Sequence, residues 1–401
     1  MQLTEQHIIH NNQWYDWCIK AKTLYNQALY YWRQAAFGNI EYFSEFELLG
    51  LFREYKEPSF IALPSHCGQE VLKNLFINIK CWQKARKEYT KNPLKFLGRP
   101  KMPKYKKELY ILSFNNGQLR LKDGYIHFPK AMSISPMKTT IPNNTKLNSC
   151  RIIPRSNHFV VEFVYSVEEI PQKEYNGKAL GIDLGLNNLA TIVSNTGNSN
   201  IINGKPIKAI NAFYNKRKSQ LQSKLIPNKR ISKRIERLNH KRNNKIKNYI
   251  HHASKYIVKK TEELDITKIV IGNNKNWKQE INLGKRSNQN FVSVPHSTLI
   301  KAIEYKAKLA GIEVITVEES YTSKCSLIDL EPIKKHETYL GKRIKRGLFR
   351  SLNGTKYNAD CCGAGNILRK VVGDFEINDS ILRSVVLPSK INIFEQKVCK
   401  S

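Results

Sequence analysis

Hydrophobic positions near the start of the chain follow a helical period. Between residues 12 and 36 an apolar or aromatic side chain recurs every three or four positions, at Trp14, Trp17, Ala21, Leu24, Ala28 and Tyr31. This spacing predicts one face of a helix, and residues 70–89 predict a second helix. The aromatic rings on that face can pack in a core or stack on nucleic-acid bases, and the spacing alone leaves both roles open.

Residues 108–165 change to the pattern of short strands. Alternating or apolar segments are separated by Asn-Gly and Asp-Gly pairs, which are strong hairpin signals. They predict a small β-barrel or meander, which joins the preceding helices in a first module of residues 1–172. Between the two parts, residues 91–107 are rich in Pro, Lys and Arg, which suits either a phosphate-contacting loop or a solvated linker.

A second module starts with an acid inside an apolar run. In KALGIDLGLNNLATIVSN, residues 178–195, Asp183 lies between two glycines, and the apolar run Leu189–Val193 follows. Burying a lone carboxylate is costly unless it is paired or binds a metal. Asp183 is therefore a candidate metal ligand or part of a phosphate-binding turn, with a water-capped strand end as the structural alternative.

The pattern after Asp183 predicts an α/β sheet. The expected elements are strands at NIINGKPI, at KIVIGNN (268–274) and at IEVITVEES (312–320), and helices at 296–311 and 358–372. A basic helical hairpin at about 211–263, broken near Pro227, interrupts the sheet. The order of three strands, helices, strand, helix, strand and helix predicts an RNase H-like fold over residues 173–375.

Acids gather at the ends of these predicted elements. Asp183 lies on the first strand, Glu318 and Glu319 end the last strand, and Asp360 begins the final helix. In an RNase H-like sheet the first strand is central and the last helix crosses it, so we expect the carboxylates to meet. Oxygen ligands select Mg²⁺ or Mn²⁺, and two such ions can promote phosphodiester hydrolysis. An actin-like ATPase is the rival enzyme class, but the sequence has no second phosphate-binding turn.

Charge indicates the class of partner. The 401 residues contain 67 Lys and Arg against 33 Asp and Glu, which gives a formal net charge of +34. Between residues 216 and 247 there are 13 Lys or Arg and one acid, Glu236. Repulsion of this size favours a polyanionic partner, and we expect nucleic acid rather than an anionic membrane surface.

Apolar runs and cysteines bear on the compartment. The sequence has no stretch of ~18 apolar residues, and its N-terminus lacks a basic-then-apolar signal pattern. A cytoplasmic protein, associated with the nucleoid when bound to DNA, is expected. The eight cysteines include no C-x-x-C pair, so free thiols are expected rather than a standard zinc ribbon.

Several segments have a pattern that goes beyond periodicity. They are GIDLGLNNLATIVSNTG, NKNWKQEINLGKRSNQNFVSVPHSTLIKAIEYKAKLAGIEV, EESYTSKCS, GKRIKRGLF and NADCCGAGNILRK, with YNQALY and FLGRPKMPKYK in the first module. Together they resemble the TnpB (OrfB) proteins of bacterial insertion sequences. The resemblance implies an α+β multidomain chain: a β-barrel (wedge) with a helical recognition insert, then a RuvC-like nuclease domain of RNase H-like fold. A degenerate zinc-ribbon-like insertion would occupy about 320–358, and residues 376–401 would form a loosely held tail.

The resemblance also implies roles for the acids. Asp183 and Asp360 correspond to the first and third RuvC acids. Most relatives carry the second acid, a glutamate, at the end of the strand that here closes on Gly272. Glu318 or Glu319, one strand over, is the replacement candidate. Successive strand residues face opposite ways, so only one of the two should reach the metal, and we prefer Glu319.

The function that the resemblance implies is RNA-guided DNA cleavage, as in TnpB proteins and the related type V CRISPR effectors. A guide RNA from the transposon end would direct cutting of double-stranded DNA beside a short motif, with Mg²⁺ or Mn²⁺ on the acids and no structural zinc. Because the second acid has moved, a nuclease-impaired RNA-guided DNA-binding repressor is the alternative. The candidate contacts to guide or DNA are Arg217, Lys218, Arg230, Arg234, Arg237, Arg242, Lys342, Arg343, Lys345 and Arg346.

Overall fold

The two halves of the chain fold as separate units, with the boundary between Glu168 and Glu169. The computed structural model describes residues 1–38, 43–227, 229–273 and 294–394. The boundary lies close to the one predicted at residue 172. Within these ranges, no helix is long and apolar enough to cross a membrane.

Helices make up the first part of the first unit. They are α1 (Tyr15–Phe37), α2 (Glu45–Glu54), α3 (Pro58–Ile61) and α4 (Ser65–Lys91). The predicted helical period is confirmed in α1, whose buried face includes Ala21 and Ala28. Trp14, at the start of α1, is fully buried, so its ring packs in the core. Ser44 and Glu47 begin α2 with a reciprocal capping box, in which each side chain accepts the other's backbone N–H.

Seven strands complete the first unit. They are β1 (Gln2–Ile9), β2 (Leu112–Asn115), β3 (Arg120–Lys122), β4 (Tyr125–His127), β5 (Met137–Lys138), β6 (Leu147–Pro154) and β7 (Phe159–Ser166). Where a barrel was predicted, the described strands form two sheets, β1-β7-β6-β2 and β3-β4-β5, around one core. The sequence did not predict β1, because two of its inward positions are the polar residues Glu5 and His7.

A six-stranded sheet is the centre of the second unit. The strands of this unit are β8 (Ala179–Leu184), β9 (Asn188–Ser194), β10 (Ser199–Asn203), β11 (Lys268–Gly272), β12 (Glu313–Val317), β13 (Lys342–Lys345), β14 (Leu348–Arg350), β15 (Lys356–Asn358) and β16 (Ser389–Ile391). The large sheet has the order β12-β11-β8-β9-β10-β16, and β13, β14 and β15 form a small one. β8 pairs antiparallel with β9 and parallel with β11, which pairs parallel with β12. The first strand is therefore central, as predicted from the order of elements.

Helices cover both faces of this sheet. They are α5 (Lys205–Gln222), α6 (Lys233–Glu263), α7 (His296–Leu309), α8 (Ala359–Val372) and α9 (Asp379–Val386). Leu180 and Ile182 of β8 share a core with α6 and α7, whereas Ala179 shares a core with α8. Because neighbouring strand residues face opposite ways, Asp183 lies on the α8 face.

The basic insertion is a pair of packed helices, α5 and α6. It begins at Lys205 rather than near residue 211, because Pro206 occupies the first turn of α5, where no backbone donor is needed. The buried residues of α6 lie mainly in its C-terminal half, from Ile246 to Thr261. Residues 212–245, with few buried side chains, are called the basic arm below.

Part of the predicted loose tail, residues 376–401, is folded. Helix α9 buries Ile381 and Val385, and β16 pairs in parallel with β10. These residues therefore belong to the second unit. Residues 395–401 lie outside the described part of the chain. The sequence could not indicate this docking, because the strand that β16 joins is far away along the chain.

Candidate active site

Two glycines allow helix α8 to approach strand β8 closely around Asp183. A Cβ atom at Gly181 would overlap the carbonyl oxygen of Ala364, so only glycine fits between strand and helix there. A Cβ atom at Gly363 would lie 2.8 Å from Oδ2 of Asp183. The carboxyl group of Asp183 is therefore enclosed against the first turns of α8.

The first turn of α8 positions Asp360. The Asn358 side chain accepts hydrogen bonds from the backbone N–H groups of Asp360 at 2.9 Å and Cys361 at 3.1 Å, which caps the helix. Nδ2 of Asn188 donates to Oδ2 of Asp360 at 2.6 Å, and Nη2 of Arg343 donates to Oδ1 at 3.0 Å. Each carboxylate oxygen of Asp360 thus has a side-chain partner.

A glutamate just past β12, Glu319, lies beside the end of β11. Val317, the last residue of β12, pairs in register with Gly272 at the end of β11. A Cβ atom at Gly272 would lie 2.5 Å from Cδ1 of Ile367, 2.6 Å from Oε1 of Glu319 and 2.7 Å from its Cγ. The side chains of Glu319 and Ile367 therefore fill the space that a side chain at position 272 would occupy.

The two candidate glutamates have different surroundings. Glu319 is half-buried, and its charge acts on Asp183. Glu318 is exposed, and its carboxylate accepts a hydrogen bond from Oγ of Ser320 at 2.6 Å. The backbone carbonyl of Glu318 accepts from Nζ of Lys370 at 2.8 Å. The structure thus brings Glu319, and not Glu318, to Asp183.

Burial and repulsion raise the pKa values of these acids. The pKa of Asp183 is raised to about 8, first by burial and then by the negative charges of Glu319 and Asp360, against the opposing effect of Arg343. Burial also raises the pKa of Glu319, while the Lys370 charge opposes that rise. Because crowded carboxylates resist ionisation together, a bound cation would favour their charged forms.

The donor set fits a hard divalent cation. Asp183, Glu319 and Asp360 offer carboxylate oxygens, which are the ligands that Mg²⁺ and Mn²⁺ prefer. Over the ranges that the structure describes, no three His, Cys, Asp or Glu side chains already surround one metal position. The oxygens of Asp360 instead contact Asn188 and Arg343. A cation at these acids would have to compete with Arg343 for Asp360.

The candidate nucleic-acid contacts lie in two regions of the second unit. Exposed residues on the basic arm, open to phosphate, are Arg217, Arg230, Arg234 and Arg237. Lys218 and Arg242 instead lie over the ring of Tyr214. In the hairpin of β13 and β14 the exposed residues are Lys342, Lys345 and Arg346. Arg343 is exposed as well, and its guanidinium forms an ion pair with the carboxylate of Asp360 at 3.0 Å.

Hydrogen bonds connect the loop where the resemblance placed a degenerate zinc ribbon. The buried carboxylate of Glu331 accepts from the backbone N–H of Ser326 at 2.7 Å and of Leu340 at 2.9 Å. The buried Cys362 thiol donates to the carbonyl oxygen of Cys325 at 3.1 Å. Burial raises the pKa of Cys362 to about 11, so the thiol stays protonated at neutral pH. The Glu331 carboxylate and the Cys362 thiol thus fix this loop by hydrogen bonds to backbone groups.

Sequence reasoning missed two residues that shape the site. Asn188 contacts Asp360, but a lone asparagine at the start of a strand carries no pattern that would single it out. Gly363 makes room for Asp183, and its signal was available in the run of small residues after Asp360 in NADCCGAGN. Only the contact of α8 with β8 shows why a small residue is needed there.

Comparison with known proteins finds related sequences over parts of the chain. A family model described as "Probable transposase" (OrfB_IS605) matches residues 162–278, and a "Cas12f1-like, TNB domain" model matches residues 296–367. The TnpB-like protein ORF457 of Acidianus two-tailed virus is 30% identical over 213 residues, which cover 50% of this chain and 43% of that protein. The CRISPR-associated endodeoxyribonuclease Cas12f2 of a Micrarchaeota archaeon is 28% identical over 261 residues, covering 60% and 46%.

The fold has a counterpart among solved structures. The chain of a cryo-EM structure titled as a Cas12f1–sgRNA–target DNA complex aligns with a TM-score of 0.52 and 16% identity, covering 89% of this chain and 82% of that one. At this identity the likeness is one of fold. The chain spans slightly less than half the length of each curated relative it matches. Taken together, the matches show that residues 162–278 and 296–367 are similar to TnpB-type and Cas12f-type proteins.

Proposed function

We propose that the protein is a transposon-encoded, RNA-guided DNA endonuclease that depends on Mg²⁺ or Mn²⁺. The observation that carries this proposal is the position of Glu319. Its carboxyl group fills the space of the side chain missing at Gly272, beside Asp183 and close enough to it to raise its pKa. A second acid is thus available although the usual position is empty.

In this proposal the three acids hold the reaction's cations. Asp183, Glu319 and Asp360 would bind Mg²⁺, which supplies the positive charge that stabilises phosphodiester scission. Asp183 is half-buried between β8 and α8, and Asn188 orients Asp360 through its 2.6 Å hydrogen bond. Arg343 holds the other oxygen of Asp360 and carries a positive charge that is attracted to a DNA phosphate.

The proposed partners are a guide RNA from the transposon end and double-stranded target DNA. Base pairing with the guide would choose the sequence beside a short motif, and the protein would hold the nucleic acid by its backbone. The exposed arginines of the basic arm and the hairpin residues Lys342, Lys345 and Arg346 support this role. The name of the Cas12f2 relative, an endodeoxyribonuclease, supports DNA as the substrate.

Plasmid cleavage tests the proposal. The chain is co-expressed with the DNA that flanks its gene, and the purified complex is given Mg²⁺ and a library of targets. We expect guided cutting by the wild type and by Glu318→Gln, and a loss of roughly 100-fold or more for Asp183→Ala and Glu319→Gln. Cutting by Asp183→Ala at the wild-type rate would overturn the assignment of the site.

The ion pair between Arg343 and Asp360 favours a second candidate, an RNA-guided DNA-binding repressor with little nuclease activity. Both oxygens of Asp360 have partners, and Arg343 competes with any cation for one of them. Guide-dependent binding of target DNA by the wild type, without cutting in Mg²⁺ or Mn²⁺, would favour this candidate. Cutting that is lost in Asp183→Ala would exclude it.

A further inference from the structure

A cavity lies between helices α5 and α6, and none of the candidate acids lines it. It has a volume of about 310 Å³. Its apolar lining includes Ile210 and Phe213 of α5 and Leu238 of α6, and the exposed Lys241 and Lys245 also line it. This volume is at the lower end of the ~300–1,000 Å³ that is usual for small-ligand sites, so it suits a single ring system.

One side of this cavity, called the arm cavity below, is held in place by polar contacts. The hydroxyl of Tyr214 donates to Oδ1 of Asn239 at 2.7 Å. The Arg242 guanidinium lies 5.1 Å from the centre of the Tyr214 ring, and its Nε donates to Oδ1 of buried Asn211 at 2.7 Å. These contacts preorganise the Tyr214 side of the cavity before any ligand arrives.

Phe213 is the exposed aromatic residue of the arm cavity. Its side chain lies on the solvent side of α5 and is 67% exposed. A phenyl ring left in water costs free energy that contact with a flat apolar ligand would recover. Phe213 therefore offers a face on which a ring can stack.

The positive charge around the arm cavity favours an anionic ligand. From residue 216 to 247 the sequence carries 13 Lys or Arg and one acid. A protein partner would have to cover the lysines among these basic residues, and lysine is depleted in protein–protein interfaces. A nucleotide satisfies both features, because its base is a flat ring and its phosphates are anionic.

We propose that the arm cavity binds one unpaired nucleobase of the guide RNA, stacked on Phe213, with the flanking phosphates on Lys241 and Lys245. This inference rests on the proposed function, which supplies the guide. The base must be unpaired, since a paired base in a helix does not present its ring face. Proteins commonly recognise RNA by stacking such splayed-out bases on aromatic side chains.

The experiment measures binding of a short single-stranded RNA that contains 2-aminopurine, whose fluorescence falls on stacking, to the full-length protein. We expect the wild type to quench the probe. Phe213→Leu should weaken binding by roughly 5-fold or more and lose the quenching, whereas Phe213→Trp should keep both. Lys241→Gln should make the negative slope of log K against log salt shallower by about 0.7, because one phosphate contact is lost.

Three controls make the result specific. Phe46→Leu removes a similarly exposed ring from α2, with 80% of the residue exposed, and should leave RNA binding unchanged. Double-stranded RNA should bind Phe213→Leu and wild type equally, because a duplex offers no base to stack. Single-stranded DNA is the third probe, and a Phe213→Leu loss confined to DNA would overturn guide RNA as the occupant.

Different results would overturn the proposed base site and the proposed nuclease function. Wild-type affinity for single-stranded RNA in Phe213→Leu, or an equal loss for duplex RNA, overturns the arm cavity as a base site even if guided cleavage is normal. Quenching that depends on Phe213, in a protein that cuts no target, overturns the nuclease but not the cavity. A wild type that binds no RNA overturns both.

Discussion

At the scale of single residues, the proposed site depends on one glutamate, Glu319, which lies outside the strand that usually carries the second acid but next to the end of that strand in the fold. The sequence predicted Asp183 and Asp360 as ligands and offered Glu318 or Glu319 as the second acid, with a preference for Glu319. Alternation along a strand could not choose between the glutamates, because both follow Val317, the last residue of β12. The choice of Glu319 over Glu318 depends on the space next to Gly272 that the Glu319 side chain enters, and only the packed structure reveals that space.

The raised pKa of Asp183 predicts a pH-dependent stability of the metal-free protein. The carboxyl group keeps its proton in the folded state up to about pH 8, whereas in the unfolded chain it loses the proton near pH 4. The folded state therefore binds more protons in this window, and stability falls as the pH rises through it. At pH 8 we expect Asp183→Asn to unfold roughly 3 °C or more above the wild type, and at pH 4 close to it.

Thermal unfolding with a chelator present, over pH 4 to about 9, measures this difference. Asp123→Asn is the control, since Asp123 is exposed and its variant should follow the wild type. Added Mg²⁺ should stabilise the wild type at pH 8 and Asp183→Asn much less. Parallel pH profiles for wild type and Asp183→Asn would contradict the buried, protonated carboxyl group.

At the scale of elements, periodicity predicted most of the second unit and less of the first. Strands β8, β11 and β12 and helices α7 and α8 carry clear apolar patterns, so their order and type were predictable. The sequence predicted a small barrel or meander for the first unit, and the described strands form two sheets, because hairpin signals identify neighbouring strands but not how they group into sheets. Strand β1 was missed, since its inward residues Glu5 and His7 hide the alternation.

The contact between α8 and β8 predicts that Gly363 is required for activity. In most helices Gly→Ala is stabilising, by up to about 1 kcal/mol. Here the new Cβ would lie 2.8 Å from Oδ2 of Asp183, so the carboxyl group must move. We expect Gly363→Ala to reduce guided cleavage by roughly 10- to 100-fold, while the protein still folds.

Cleavage rates and thermal unfolding, measured on the same samples, distinguish a loss of activity at the site from a loss of folded protein. Gly50→Ala is the matched control, because Gly50 lies in α2 and a Cβ there meets nothing within 4 Å. This variant should be as active as the wild type and equally or slightly more stable. A fully active Gly363→Ala would show that Asp183 tolerates displacement or is not needed.

The hydrogen bonds of Glu331 predict that its carboxylate, rather than a zinc ion, stabilises the loop around residues 326–340. Glu331→Gln keeps one acceptor but turns an amide N–H₂ towards a backbone donor, so we expect a loss of about 2 kcal/mol in the free energy of unfolding. The exposed Glu337→Gln should change it little. Urea unfolding measures both, and elemental analysis should find well under one zinc ion per chain. Stoichiometric zinc would contradict this interpretation.

At the scale of the whole molecule, charge favours a class of partner, whereas pattern predicts architecture. A net charge of +34 favours nucleic acid, and the basic arm collects much of that charge on few elements. The fold of residues 376–394 was not predictable, because β16 joins β10 from far along the chain. Pairing between such distant segments leaves no local signal in the sequence.

The account as a whole depends on Glu319 replacing an acid at position 272. Guided plasmid cleavage by wild type, Glu319→Ala and the double variant Gly272→Glu with Glu319→Ala tests it most directly. We predict a loss of roughly 100-fold or more in Glu319→Ala. We predict recovery to within about 10-fold of wild type in the double variant, because the new side chain enters the space that Glu319 leaves once the end of the Ile367 side chain, 2.5 Å from the new Cβ, shifts. Undiminished cutting by Glu319→Ala, or a folded double variant as inactive as the single one, would contradict the account.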